Sequence, residues 1–138
     1  MSELIRFGIS LEGSLAKKFD EKIRAKGYVN RSEAVRDLIR QDLVEQEWRL
    51  GREVAGAVTL IYDHHQRALL NKITDIQHDF QQVIISAQHI HMDHSHCLEI
   101  IAVKGSPQDV QKLADTLKAV RGVQHRTLSM STTGKGLV

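Results

Sequence analysis

Residues 89 to 97 read HIHMDHSHC and hold four of the eight histidines of the chain together with its only cysteine. In a β-strand, side chains two residues apart share a face, so His89 and His91 are expected to point to the same side. Cys97 opens the next apolar run, LEIIAV, and a hairpin through MDHS would fold its thiolate back beside the imidazoles. Imidazole nitrogen and thiolate sulfur suit zinc, copper or nickel, whereas magnesium and calcium require oxygen ligands. The segment therefore predicts a site for a soft or borderline transition metal.

The composition is that of an ordinary globular protein. The 138 residues are 41% hydrophobic and 26% charged, which allows one domain or two small ones. No apolar run approaches the ~20 residues of a membrane span, and the start, MSELIRFGIS, lacks the layout of a signal peptide, so we expect a cytoplasmic protein. One cysteine cannot form an intrachain disulfide and is available as a thiolate ligand. The net charge of +2 does not by itself suggest nucleic acid as a partner.

Residues 4 to 11, LIRFGISL, predict a half-buried strand. Apolar side chains occupy alternate positions, and the opposite face carries Arg6, Gly8 and Ser10. A lone strand leaves unpaired backbone on both edges, and so short a unit buries little core. We therefore expect two copies to pair these strands antiparallel into a ribbon that presents the three residues twice. Such a ribbon fits the major groove of B-DNA.

Two helices are predicted after this strand. An apolar stripe recurs every four residues in the first helix, and Gly27 stands where that helix would end in a left-handed cap. Asn30 and Glu33 form a capping-box-like start to the second helix, because the Asn side chain can accept a backbone N–H. The first fifty residues are thus predicted to fold in the order strand, helix, helix.

The remainder of the chain predicts the order βαββαβ, the ferredoxin-like split unit. An apolar strand, VAGAVTLIYDH, precedes a striped helix, and two strands follow at roughly 82 to 92 and 97 to 104. A second striped helix stops at Gly122, and VQHRTLSMS closes as a strand.

The two parts are separated by residues 45 to 53, EQEWRLGRE, which lose helical periodicity at Gly51 and are interpreted as a linker. The predicted fold class is therefore α+β. A βαα domain covers residues 1–50 and a βαββαβ domain covers residues 54–138.

Along nearly its full length the sequence resembles the nickel-responsive transcriptional regulator family, NikR. IRFGISL and GYVNRSEAVRDLIR are similar to the ribbon-helix-helix DNA-binding domain of that family, and DIQHDF and HIHMDHSHCLE to its ferredoxin-like, ACT-type regulatory domain. NRSEAVRD recurs in many ribbon-helix-helix repressors, whereas the HxHx5C spacing with an upstream QH is far more specific. The resemblance implies a nickel cofactor and a double-stranded DNA operator as partner.

For the metal site, the resemblance implies His89, His91 and Cys97 from one chain and His78 from a neighbouring chain, in a planar four-coordinate arrangement. The residues alone indicate the first three, and the fourth comes from the resemblance. It also implies a homotetramer, a dimer of dimers with the regulatory domains at its centre. Nickel binding would favour an arrangement in which both ribbons bind one operator, so that the protein represses nickel-uptake genes. Binding through two linked ribbons can raise the overall affinity by ~10² or more.

For DNA reading, the strand of this family usually carries arginine and then two small hydroxyl residues on its outward face, and Gly8 departs from that pattern. A glycine cannot read a base edge through a side chain, so the operator is expected to differ or readout to lean on Arg6 and the backbone. The helix N-terminus at Asn30, Arg31 and Ser32 is a candidate phosphate contact.

The family also holds a second cation with acids that match Glu33 and Asp37. These like charges lie one turn apart, and Arg36 or Arg40 could compensate them instead. Gln77 and Glu99 could orient the ligand imidazoles, with a solvated role as the alternative. His94 and His96 fall in the hairpin turn and are expected to face solvent, with weak binding of surplus metal as the alternative. His64, His65 and His125 have no predicted partner and are interpreted as structural or exposed.

The leading interpretation is a regulator that performs no chemistry, and three alternatives compete with it. A metallohydrolase needs an open metal position, which four protein ligands would not leave, and no HExxH-like base is present. A metal storage protein would leave the N-terminal strand and helices without a purpose. A regulator of the same fold that senses copper or zinc stays open, because copper(II) binds such sites more tightly than nickel does.

Overall fold

The computed structural model describes residues 3–137. The described chain divides into two compact units: the first holds residues 3–43 and 136–137, and the second comprises Val44–Lys135. In chain order the elements are α1 (Gly13–Ala25), α2 (Arg31–Arg49), β1 (Val54–Tyr62), α3 (Arg67–Asp79), β2 (Ile84–His91), β3 (Cys97–Gly105), α4 (Pro107–Lys118) and β4 (Val123–Met130). Among the described residues, no helix has the length and apolarity needed to cross a membrane.

The strand predicted over residues 4 to 11 is not formed within a single chain, since residues 3–12 carry neither helix nor strand. The physical reason is that a strand requires hydrogen bonds to a neighbouring strand. All four strands of the described chain belong to the sheet of the second unit. The apolar face of this segment is consequently exposed, with Ile5 at 78% and Phe7 at 73% of full accessibility.

The helix ends of the first unit follow the predicted capping signals. Gly27 adopts φ +78°, and the Tyr28 N–H donates to the Ile23 carbonyl at 3.0 Å, closing α1 in the expected left-handed cap. Asn30 caps α2, because its Oδ1 accepts the Glu33 N–H at 2.9 Å. These two features confirm where α1 ends and α2 begins.

The first part of the predicted linker, residues 45–49, is helical and belongs to the second unit. Trp48 accounts for this, because its ring packs against the core of that unit and its indole N–H donates to the Ser131 carbonyl at 2.8 Å. The nearly buried Glu47 accepts the Thr132 hydroxyl at 3.0 Å. After α2, Gly51 takes φ +73° and β1 follows.

The four strands form one sheet in the order β2-β3-β1-β4, with every neighbouring pair antiparallel. This topology confirms the predicted ferredoxin-like split unit. Helices α3 and α4 cover one face, and the core consists of Val58, Leu60, Tyr62, Leu69, Ile73, Ile76, Val83, Cys97, Ile101, Val103, Val110, Leu113, Ala114 and Leu117. Strand β3 lies between β2 and β1 and is antiparallel to both. The end of β2, the start of β3 and the end of β1 therefore lie side by side at one end of the sheet.

Candidate metal centre and nucleic-acid interface

The sheet register brings three of the predicted metal ligands, His89, His91 and Cys97, together at that end of the sheet. His91 on β2 lies directly opposite Cys97 on β3, and Cys97 lies opposite Tyr62 on β1. His89 lies opposite Glu99 in the same ladder. Directly paired residues and residues two apart share a face, so all five side chains lie on the face that the helices cover.

His89 is held from behind by buried polar groups. Its Nδ1 lies 3.2 Å from the Tyr62 hydroxyl and 3.8 Å from Oε1 of Glu99. Glu99 is itself fixed by Gln77 on α3, whose Nε2 donates to Oε2 at 3.0 Å. These contacts occupy the Nδ1 side of the ring and leave Nε2 as the nitrogen that can bind an ion, so Gln77 and Glu99 stand where orienting partners would be needed.

Burial sets the protonation of the groups around this site. It is the main cause that raises the pKa of the Cys97 thiol; the Tyr62 hydroxyl opposes the shift by hydrogen bonding, and negative Glu99 adds to it. Burial likewise raises the pKa of the Glu99 carboxyl, against the pull of His89 and Gln77. It also raises the pKa of Tyr62. In the metal-free protein the Cys97 thiol therefore keeps its proton at neutral pH, and a cation must displace that proton when it binds sulfur.

His78 is placed apart from the other three expected ligands. It is an exposed residue near the end of α3, the helix that ends at Asp79, whereas His89, His91 and Cys97 lie on strands. Within residues 3–137, the side chains that bring three potential ligand atoms within 4.8 Å of one another do not include any of these four. A single chain therefore gathers three of the expected ligands on one face without closing a site around an ion.

The structure reveals three further donors that the sequence reasoning missed. Asp63, His64 and His65, in the loop between β1 and α3, have ligand atoms all within 4.8 Å of one another, the one such group among the described residues. Oδ1 of Asp63 accepts both the backbone N–H of His65 at 2.9 Å and its ring Nδ1–H at 3.1 Å. The signal was available in the sequence, because YDHH directly follows β1 and the antiparallel order sets the end of β1 beside Cys97.

The residues expected to contact DNA lie in the first unit. Arg6, Gly8 and Ser10 are exposed in the segment that forms no strand. The guanidinium of Arg31 is engaged by Asp20, with Nε to Oδ1 at 2.8 Å and Nη2 to Oδ2 at 2.7 Å.

The start of α2 brings together Asn30, Arg31 and Ser32, the expected phosphate contacts. The side chain of Asn30 is used as the cap of α2, and the Ser32 carbonyl accepts from Arg36 Nε at 3.4 Å. These residues can still offer a phosphate the backbone N–H groups of Arg31 and Ser32 in the first helical turn, together with the exposed side chain of Ser32.

The two acids expected at a second cation site are already partnered in different ways. Asp37 accepts the Tyr28 hydroxyl at 2.8 Å and pairs with Arg40 at 3.4 Å. Glu33 lies on the first turn of α2, where the positive end of the helix dipole favours a carboxylate. Arg40 thus provides the compensation that the sequence allowed as an alternative to a cation.

Comparisons with known proteins agree with this two-part organisation. Residues 55–131 match the family model described as the NikR C terminal nickel binding domain, and residues 2–46 match that of the ribbon-helix-helix protein, copG family. Three relatives share the printed name "Putative nickel-responsive regulator". The one from Syntrophus aciditrophicus is 60% identical and covers 98% of both chains. The one from Chlorobium limicola is 60% identical over 97% of this chain and 100% of its own, and that from Geobacter sulfurreducens 51% over 99% of both.

A solved structure shares the fold of part of this chain at low sequence identity. The uncharacterized protein from Thermotoga maritima superposes with a TM-score of 0.51 at 12% identity and covers 56% of this chain and 95% of its own. At that identity the likeness concerns the fold alone.

Proposed function

This chain belongs to the nickel-responsive regulator family of DNA-binding transcription regulators, whose cofactor is nickel, and we propose that it represses nickel-uptake genes by binding their operator when nickel is bound. The observation that carries the proposal is the cross-strand pairing of His91 with Cys97, with His89 two residues away on the same face. That arrangement provides two imidazoles and one thiolate, donors that suit nickel.

The proposed high-affinity site takes His89, His91 and Cys97 from one chain and His78 from a neighbouring chain. Two contacts support the donor set: Tyr62 and Glu99 occupy the Nδ1 side of His89 and leave its Nε2 to the ion. The exposure of His78 near the end of α3 supports a role toward a second chain. Because the fourth ligand comes from another chain, nickel binding would join two subunits.

The proposed DNA-reading element is a two-stranded ribbon made from residues 4–11 of two copies. The exposed, unpaired state of this segment in a single chain supports the pairing, because it leaves both backbone edges and the apolar face available. Arg6, Gly8 and Ser10 of each copy would face the major groove. Arg6 would carry the base contact, since Gly8 has no side chain to offer.

Phosphate contacts are proposed at the N-terminus of α2. Asn30 and Arg31 have side chains committed to the cap and to Asp20, so the backbone N–H groups of Arg31 and Ser32 would hold the phosphate. The second cation, if it binds at Glu33 and Asp37, has to compete with Arg40 for the Asp37 carboxylate.

The proposed assembly is a homotetramer, a dimer of dimers, that acts in the cytoplasm. Residues 1–50 would form the DNA-binding domain and residues 54–138 the metal-binding and tetramerisation domain. Nickel shared between subunits would stabilise the arrangement in which both ribbons reach one operator. Binding through two linked ribbons can raise the overall affinity by ~10² or more without a new contact.

The experiment is an operator titration with the full chain, on a DNA fragment selected from a random library by the nickel-loaded protein. Apo protein is compared with protein carrying stoichiometric nickel or zinc, at fixed salt because such affinities depend steeply on it. Wild type is compared with Cys97→Ala and with His125→Ala. His125 is an exposed histidine on β4, paired with Ile61 away from the helix-covered face, and serves as the matched control.

We expect tight binding only with nickel, retained in His125→Ala and lost in Cys97→Ala. Equal operator affinity with and without metal would overturn the proposal. An equal response to zinc would instead indicate a sensor that does not discriminate nickel.

A further inference from the structure

Five imidazoles form a continuous row at the end of the sheet where the end of β1 lies beside the β2–β3 hairpin. Neighbouring ring centroids are separated by 4.8 Å, 4.2 Å, 4.4 Å and 5.1 Å. In order, the row is His94, His65, His64, His91 and His89. The proposed nickel site uses only the last two, so three histidines of the row have no assigned role.

Two of those three belong to the group formed with Asp63. Their ligand atoms and a carboxylate oxygen of Asp63 all lie within 4.8 Å of one another. An ordinary structural role explains part of this group: the Asp63 carboxylate stabilises the turn by accepting from the backbone and ring of His65. It does not explain His64.

In the described part of the chain, the imidazole ring of His64 lacks a hydrogen bond at its buried nitrogen, Nδ1. Its Nδ1 is buried and has no hydrogen-bond partner among the described residues. Its ring lies against His65 on one side and against His91 on the other. A buried polar atom without a partner destabilises the fold, and a ligand bound to this nitrogen would remove that penalty.

We propose that Asp63, His64 and His65 form a second site for a borderline divalent metal ion such as nickel, zinc or cobalt. The site offers two imidazole nitrogens and one carboxylate oxygen, with water completing the coordination. It lies within one chain, uses no thiolate and shares no ligand with the proposed His78, His89, His91 and Cys97 set.

This second site binds its ion more weakly than the thiolate site. It has three protein ligands rather than four and lacks the sulfur donor that strengthens binding of borderline metals. The His64 and His91 rings are adjacent, so two bound cations also repel each other at short range. The ion therefore binds second in a titration.

The test counts ions per chain in the full protein by equilibrium dialysis against Ni(II). The thiolate-to-nickel charge-transfer absorption reports the Cys97 site separately. The variants are His64→Ala/His65→Ala, Asp63→Asn, Cys97→Ala and the control His125→Ala. Asp63→Asn keeps an oxygen that can accept from His65 and so preserves the turn, while it removes the ligand charge.

We expect wild type and His125→Ala to bind two ions per chain, one with the thiolate absorption. The double histidine variant should bind one ion with the full absorption, and Asp63→Asn should weaken the second event at least tenfold. Cys97→Ala should keep the weaker ion without the absorption. The proposal is overturned if both loop variants bind as many ions as wild type, or if wild type binds only one. Failure of the operator response would bear on the regulatory proposal and leave this count unaffected.

Discussion

The two units of this chain differ sharply in what they bury. The second unit has a continuous core between its sheet and two helices, with Leu60, Ile101 and Leu113 fully inaccessible to solvent. In the described part of the first unit, Ala34 is the only buried apolar residue. Most of its larger apolar side chains are instead exposed: Leu4, Ile5, Phe7, Ile9, Leu11, Leu15, Val29, Leu38, Ile39 and Leu43.

This difference indicates which function each unit can perform without a partner. The second unit can position three of the four expected metal ligands by itself, because a closed core fixes its strand register. The first unit exposes an apolar face to solvent, which is unfavourable. We therefore expect this unit to be stable only when a second copy covers that face. A regulator built in this way can sense metal in a rigid unit and bind DNA through a unit that depends on assembly.

The largest expected effect is in the core of the second unit. Leu60→Ala should lower the free energy of unfolding by about 2–5 kcal/mol, because it removes buried methyl groups and leaves a cavity. Urea unfolding of the metal-free chain, followed by the fluorescence of the single tryptophan, Trp48, measures this unit. The control is Ile85→Ala on β2, which is 64% exposed and should change the value by under about 0.5 kcal/mol. Similar losses in the two variants would mean that the core is not where the structure has it.

The next effect tests the dependence of the first unit on a partner copy. Ile9 is 59% exposed in a single chain, so Ile9→Ala should leave the Trp48 unfolding midpoint unchanged. If two copies pair, the same change removes about 1.5–3 kcal/mol per copy of the free energy gained by burying the Ile9 side chain. Operator binding should then weaken at least tenfold. Fluorescence anisotropy with operator DNA and the urea midpoint are measured on the same samples. Unchanged operator affinity would show that the apolar face of the ribbon stays in solvent.

A smaller effect, about 1.4 kcal/mol per pH unit, follows from burial of the thiol. The raised pKa of Cys97 lies above its ordinary value of 9.0, so the thiol is protonated at neutral pH and one proton leaves when sulfur binds nickel. Nickel affinity should therefore rise about tenfold for each pH unit between about 7.5 and 8.5, a range in which free imidazole is already neutral and the thiol is the ligand that releases a proton. Chelator competition, corrected for protonation of the chelator, measures it in the His64→Ala/His65→Ala variant. A flat profile would mean that the thiolate is not a ligand.

The sequence was a sufficient guide wherever the signal was local or set by strand periodicity. Two-residue alternation placed His89 and His91 on one face, and the hairpin placed Cys97 opposite His91. Gly27 and Asn30 marked helix ends because caps depend on neighbouring residues. These features need no knowledge of the partner strand order.

What the sequence did not provide depended on contacts distant along the chain or on a second chain. His64 and His65 gained neighbours only because β1 ends beside Cys97, which is a consequence of the strand order. Trp48 made the start of the linker helical through a bond to Ser131, a residue far along the sequence. The strand that alternation predicts at residues 4–11 stays a prediction, because its hydrogen bonds require a second copy of the chain.

Two helix caps of similar chemistry provide a matched test in the two units. Asn30 caps α2 through the Glu33 N–H at 2.9 Å, and Ser106 caps α4 through the Asp109 N–H at 3.2 Å. Replacing either by Ala should cost about 1 kcal/mol. Ser106→Ala should lower the Trp48 unfolding midpoint, whereas Asn30→Ala should weaken operator binding and leave that midpoint in place. The same response from both variants would indicate that the two units unfold as one.

The smallest expected effect is acid sensitivity of the first unit alone. Hydrogen bonds from Arg31 lower the pKa of Asp20 below its ordinary 3.8, against the opposing effect of desolvation. A carboxyl with a lowered pKa in the folded state contributes stability above its unfolded pKa and loses that contribution as the pH falls through the folded value. NMR intensities of the α1 amides, recorded from about pH 5 to about pH 3, should fall in wild type. They should change less with pH in Asp20→Asn. The control is Glu21→Gln, which removes a neighbouring charge outside this pair and should behave as wild type. If Asp20→Asn also showed the wild-type pH profile, the Asp20–Arg31 pair would not be the source of the acid response.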